Sequence, residues 1–157
     1  MLAGFELAQI NIGRLLAPID DPMIAAFVAE LDSINMLAEE SAGFVWRLKS
    51  DSGNATDLPY NDDPLTIVNM SVWTDAEALR EFTYKSRHVE VFRQRKHWFE
   101  TAVIAHYCLW WVPAGHRPSV VEGKERLEHY QRFGPTQQSF WFSHLFPAPE
   151  ISIGVSG

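Results

Sequence analysis

Two amides on an otherwise apolar stretch are the residues most able to do chemistry in this chain. Phe5 to Gly13 alternates, with Phe5, Leu7, Gln9 and Asn11 on one side and Ala8, Ile10 and Ile12 on the other. That is the period-2 pattern of a strand largely buried on both faces. Gln9 and Asn11 must find hydrogen-bond partners there, which points to a polar pocket or an interface. A second run, Leu65 to Trp73, carries Asn69 and ends in Ser-x-Trp. Beyond it, Phe82, Val89, Phe92 and Phe99 share one face of a continuous helix, with His88 at its edge. A neutral histidine can ligate a metal or move a proton, or it can bond a backbone carbonyl at a core boundary. Trp73 reads either as a pocket wall or as a packed strand-end aromatic.

Other chemistries lack their residues. There is no His-Glu-x-x-His, and the six histidines include no i, i+4 pair, so no metal site is expected. No glycine-rich phosphate loop and no Gly-x-Ser-x-Gly elbow occurs. Asp62-Asp63 sits in a polar loop without an apolar wall to raise a carboxyl pKa. Cys108 is the only cysteine, which excludes an intrachain disulfide and a thiolate zinc site. A net charge of −7 argues against a nucleic-acid partner, and Arg93-Gln-Arg95-Lys96-His97 reads as a solvated helix face. The longest apolar run is far short of the ~20 residues of a membrane span. With no secretory signal at its start, the chain is expected to be soluble and cytoplasmic.

The elements that must position these residues can be read in order. With 157 residues, 46% of them hydrophobic, the chain suits one domain. After the first strand, Asp21 and Pro22 open a helix whose stripe is Ile24, Phe27, Val28, Leu31, Ile34 and Leu37, ending at Gly43. Phe44 to Lys49 is a second strand, with Phe44, Trp46 and Leu48 on one side. The polar stretch Lys49 to Pro64 reads as a flexible connection, a lid if it lies at a pocket mouth. Leu65 to Trp73 is the third strand, and Thr74-Asp-Ala-Glu77 forms a capping box that starts the second helix. Lys96 falls within the aromatic stripe of that helix, which implies a kink or a snorkelling side chain. A fourth strand spans Ile104 to Val112, with Trp110 and Trp111 on opposite faces. The order is βαββαβ, ferredoxin-like. Ser119-Val-Val-Glu122 caps a further helix, which stops at Gly134-Pro135, and a fifth strand is predicted over Ser139 to Phe146.

Leu7-Ala-Gln-Ile-Asn11, Gly43-Phe-Val-Trp46-Arg-Leu48, Met70-Ser-Val-Trp73 and Leu109-Trp-Trp-Val-Pro-Ala-Gly115 together resemble domain-of-unknown-function family 3291. The resemblance continues through Arg126-Leu127, Gly134-Pro135 and Phe146 to Pro149. It implies a place in the dimeric α+β barrel superfamily, beside antibiotic-biosynthesis and haem-degrading monooxygenases. The expected molecule is then an α+β homodimer with a core at 4–113, a C-terminal helix-strand extension at 114–149 and a tail at 150–157.

The haem-degrading relatives use an Asn, a Trp and a His, and Asn11, Trp73 and His88 are of those types. Strand direction argues against the full trio. With the first and third strands antiparallel neighbours, Asn11 lies level with Asn69 while Trp73 is at the far end. A helix running back from Asp75 rises about 20 Å by His88, toward Asn11 unless the chain bends at Thr83 to Ser86. The expectation is a pocket between the second helix and the sheet, with Asn11 and His88 as catalytic candidates. Gln9, Trp46, Asn69, Trp73 and Phe92 would line it. Its ligand would be a small aromatic or polycyclic molecule, bound by a monooxygenase-like protein or held without turnover; the alternative is a purely structural homodimer whose aromatics only fill the barrel. The cofactor stays open, haem being one possibility.

Overall fold

The computed structural model describes residues 4–51, 53, 55–86 and 88–149, with the side chains of His88 and Phe92 outside that description. The expected tail at 150–157 also lies outside it. Four strands, β1 (Phe5–Arg14), β2 (Phe44–Arg47), β3 (Thr66–Trp73) and β4 (Tyr107–Pro113), make one antiparallel sheet in the order β2-β3-β1-β4. The helices are α1 (Ala25–Glu40), α2 (Ala76–Lys85), α3 (His88–Arg93) and α4 (Val120–Phe133). The fold is α+β, a ferredoxin-like βαββαβ unit whose second helix is broken in two. No described helix is long and apolar enough to cross a membrane.

The two sheet faces are covered by different elements. Ala8, Ile10, Met70, Val72, Cys108, Trp110 and Val112 share one face and are fully buried with Leu127 of α4. Gly123 permits that seat, because a Cβ there would stand 2.8 Å from Ile10 Cδ1 and 3.0 Å from Met70 Sδ. Ser119 caps α4 as its sequence predicts, accepting from the Glu122 N–H at 3.1 Å, and Trp110 Nε1 donates to Glu122 Oε2 at 3.0 Å. Burial pushes the Cys108 thiol pKa up, which keeps it protonated and inert. Tyr60 anchors the 49–64 connection on this same face, and its burial pushes the phenol up to about 12. Through Tyr60 the connection is tied to the α4 side of the sheet, where a lid over Asn11 would have to lie on the other side.

The opposite face carries α1, α2 and α3, and its apolar packing splits into two clusters. At one end Leu7, Trp73 and Leu109 pack with Ala38 of α1 and Leu79 and Phe82 of α2. At the other end Leu15, Ile24 and Trp98 pack with Phe27, Ile67, Val91 of α3 and Phe99. Phe99 sits so close to Gly13 that a Cβ there would meet its ring at 2.7 Å.

Local structure departs from expectation at four points. Asp75, not Thr74, caps α2 by accepting from the Ala78 N–H at 2.8 Å, one residue further along than the capping box implies. The continuous helix of the aromatic stripe stops at Lys85, within the Thr83 to Ser86 stretch where the sequence leaves room for a bend, and Ser86 turns extended while its hydroxyl bonds the Phe82 carbonyl. Such back-bonding competes with helix propagation. In β2 a bulge between Phe44 and Trp46 puts Phe44 against Trp73 and Trp46 on the α4 face, so the two do not share a side. The fifth strand is reduced to two isolated bridges, Ser139 with Thr136 and Phe140 with Leu109. Phe140 exchanges backbone bonds of 2.7 and 2.9 Å with Leu109, and a short 3₁₀ turn at Phe142–His144 follows.

Candidate functional site

Between the two apolar clusters of the helix-covered face lies a polar strip. Strand register builds it: Gln9 stands opposite Ser71 and Leu109, and Asn11 opposite Asn69 and Tyr107. Alternation then aims Gln9, Asn11, Asn69 and Ser71 the same way. Gln9 Nε2 donates to Asn69 Oδ1 at 2.7 Å and to Ser71 Oγ at 2.8 Å. Asn11 Nδ2 donates to Gln9 Oε1 at 2.9 Å and to Asn69 Oδ1 at 3.2 Å. Trp73 Nε1 donates to Ser71 Oγ at 2.8 Å. Gln9 and Ser71 are buried, so these bonds satisfy amide and hydroxyl groups that would otherwise be costly inside the fold.

The donor count shows what the strip offers a ligand. Both hydrogens of Gln9 Nε2 and both of Asn11 Nδ2 are committed within the network. Asn11 Oδ1 and Asn69 Nδ2 meet no partner among the described residues, and both side chains are exposed. A fixed acceptor and a fixed donor therefore stand side by side. Phe82 of α2 packs on Trp73 at one end of the face, and Val91 of α3 joins Ile67 at the other.

The sequence candidates divide accordingly. Gln9, Asn11 and Asn69 come together. Trp73 is fully buried, stacked on Phe82 with ring centroids 5.1 Å apart and met edge-on by Phe44 at 5.5 Å. It touches the strip only through its N–H and is core, not a wall open to a ligand. Trp46 lies on the far side of the sheet because of the β2 bulge. The rings of His88 and Phe92 lie outside the described residues. Ser71 escaped the sequence reading, although its place between Asn69 and Trp73 at strand spacing is the signal that finds it. Tyr107, Trp141 and His106 were also missed. Tyr107 sits beside Asn11 in register, its ring 4.0 Å from Trp141 and 4.7 Å from His106.

These residues do not fit a haem site of the Asn–Trp–His kind. Trp73 pairs with Leu7 and not Asn11, and its ring is enclosed between Phe44 and Phe82 with no face left for a porphyrin. Among the described residues no group of three or more His, Cys, Asp or Glu could hold a metal ion. Two surface grooves lie elsewhere. One, of about 490 Å³, is lined by His129, Phe133 and Thr136; the other, of about 580 Å³, runs along α2 from Ser41 and Gly43 to Lys85. Neither contains an amide of the strip.

Fold and strip together define an α+β ferredoxin-like protein with a strip of hydrogen-bonded amides on its helix-covered face. The chain belongs to the family described as Domain of unknown function (DUF3291), whose model matches residues 6–154. No curated protein matches it. Among solved structures it is similar to PA3566 from Pseudomonas aeruginosa, at 14% identity over 76% of this chain and 100% of that one, with a TM-score of 0.47. It is also similar to NE2512, a protein of unknown function from Nitrosomonas europaea, at 15% identity over 73% and 96% of the two chains, TM-score 0.45. SnoaB, a cofactor-independent oxygenase from Streptomyces nogalater, aligns at 16% identity over 73% and 95%, TM-score 0.43.

Proposed function

We propose that this protein takes a small aromatic or polycyclic molecule into the cleft between helix layer and sheet and acts on it as a monooxygenase-like oxidoreductase in the cytoplasm. The observation that carries this reading is the amide pair, Asn11 Oδ1 as acceptor and Asn69 Nδ2 as donor, fixed by bonds to buried Gln9. A neutral donor held in place stabilises negative charge as it develops on a substrate oxygen, without reorganisation at the moment of reaction. An aryl-activated methylene can supply both electrons that oxygen insertion needs: CH2 plus O2 gives C=O plus water. In this reading Asn69 holds the enolate or phenolate oxygen, Asn11 accepts from a neighbouring substrate hydroxyl, and His88 at the start of α3 carries the proton.

One observation favours a second reading, a binding protein without turnover. No acid or base among the described residues bonds to the strip. Oxygen uptake measured beside equilibrium binding, over a set of phenols and anthrone-like methylenes, separates the two. Uptake that disappears in Asn69→Leu supports the oxygenase. Saturable binding without uptake leaves the binder, and no binding by the wild type removes both. A homodimer fits either reading only through a surface other than the sheet face beneath α4.

A further inference from the structure

We infer that Tyr107 and Trp141 are the aromatic wall of this cleft, so that the C-terminal extension makes it select flat, unsaturated ligands over saturated ones of the same polar edge. The inference rests on the reading above that Asn11 and Asn69 hold a ligand.

Register places the wall. Asn11 has Asn69 on one side, across β1 and β3, and Tyr107 on the other, across β1 and β4. Side chains directly opposite in an antiparallel pair share a face, with Cβ atoms about 5 Å apart. The Tyr107 ring therefore rises from the sheet next to the free acceptor. Trp141 lies against it with ring centroids 4.0 Å apart, so Asn69, Asn11, Tyr107 and Trp141 form a line across three strands and onto the extension. Both rings are half-buried, which leaves aromatic surface beside the amides.

The extension is built to hold Trp141 there. On one side of it Phe140 exchanges two backbone bonds with Leu109 of the edge strand. On the other, Trp111 Nε1 donates to the Phe146 carbonyl at 2.8 Å. Phe142 reaches α2, its ring 5.7 Å from that of Tyr84 and beneath the Arg80 guanidinium at 5.1 Å. The segment thus straps β4 to α2 across the helix-covered face, and its two fixed ends leave Trp141 little freedom. A ligand whose edge bonds Asn11 and Asn69 would lie with its ring system toward that wall. Aromatic contacts of this kind favour a ring over its saturated analogue by roughly three- to tenfold.

The test uses two probes with one polar edge. 2-Quinolone and its octahydro analogue both present an N–H for Asn11 Oδ1 and a carbonyl for Asn69 Nδ2, and only the first is aromatic. Dissociation constants are measured by calorimetry for the wild type, Trp141→Leu, Trp141→Phe, Tyr107→Leu and Asn69→Leu. The wild type is expected to prefer 2-quinolone by roughly three- to tenfold. Trp141→Leu and Tyr107→Leu should each erase that ratio while leaving the saturated probe's affinity in place, and Trp141→Phe should keep it. Asn69→Leu should weaken both probes alike. If the ratio survives both leucine variants while Asn69→Leu still weakens binding, the wall is wrong and the amide site stands. If neither probe binds the wild type, the amide reading fails and the wall with it. A variant that merely loosened the fold would lower both affinities together, which also counts against the wall.

Discussion

Asn11 and Asn69 face each other across β1 and β3, with Asn11 Nδ2 donating to Asn69 Oδ1 at 3.2 Å, and both are oriented from beneath by Gln9. Gln9 touches no ligand in the proposed site, since its amide is spent on Asn69, Ser71 and Asn11. It acts as the positioning residue for the pair.

Gln9→Leu is accordingly expected to do two things. It leaves Ser71 and the two asparagines short of partners, which costs about 1–3 kcal/mol in urea denaturation. It also frees both asparagine amides to rotate, so 2-quinolone binding weakens although each contacting residue is still present. Unchanged binding in a variant that is measurably less stable would show that the asparagines hold their orientation without it.

How far this strip could be read from the sequence differs residue by residue. Gln9, Asn11 and Asn69 were legible because a period-2 apolar pattern makes each amide an exception, and antiparallel neighbours must bring Asn11 level with Asn69. The placing of Trp73 at the far end followed from the same logic. Trp46 was not legible, because one bulged residue reverses the face of everything after it and leaves no compositional mark. The break at Ser86 had only weak signals, since a serine bonding back to Phe82 is a local competition that side-chain periodicity does not record. Tyr107 and Trp141 were hidden for another reason. Their contact joins the edge strand to a segment 34 residues later with a single bridge, too short for any strand pattern.

The α2 cap offers a direct check on one such correction. Asp75 accepts the Ala78 N–H, so Asp75→Ala should cost about 1 kcal/mol. Thr74→Ala should cost little by comparison, because Thr74 joins the turn through its backbone N–H to the Gly43 carbonyl at 2.8 Å. Paired chemical denaturation curves decide it, and the reverse order would return the cap to Thr74.

Stability should fall on mild acidification, with His106 as one source. Burial, with Arg95 nearby, holds this imidazole below its ordinary 6.5. Between that depressed value and 6.5 the unfolded chain binds the proton and the folded chain does not, so stability rises with pH across the window. Its contribution is complete above 6.5 and is lost as pH falls toward the folded value. Asp63, held below 3.8 by the Leu65 N–H and by Arg14, acts in the same direction but only in stronger acid. Melting curves from pH 7.5 to 5 should therefore slope downward in the wild type and less steeply in His106→Gln. Equal slopes would assign the effect to other groups.

The seat of α4 makes the last prediction, and it bears on self-association. The sheet face opposite the helix layer is closed by the chain's own helix, with Ile10, Met70, Trp110 and Leu127 all at 0% exposure. Two copies cannot meet sheet to sheet while α4 stays in place. Gly123→Val tests this, since a side chain there must displace Ile10 or Met70 or lift the helix. Overpacking of this kind costs about 1–3 kcal/mol, or several degrees in the unfolding midpoint of a chain this size. The lifted helix bares an apolar sheet, so the variant should also sediment with a higher apparent mass than the wild type at tens of micromolar. A variant that melts and sediments like the wild type would mean either that the ends of Ile10 and Met70 swing aside without moving the helix or that α4 is not seated on this face in solution.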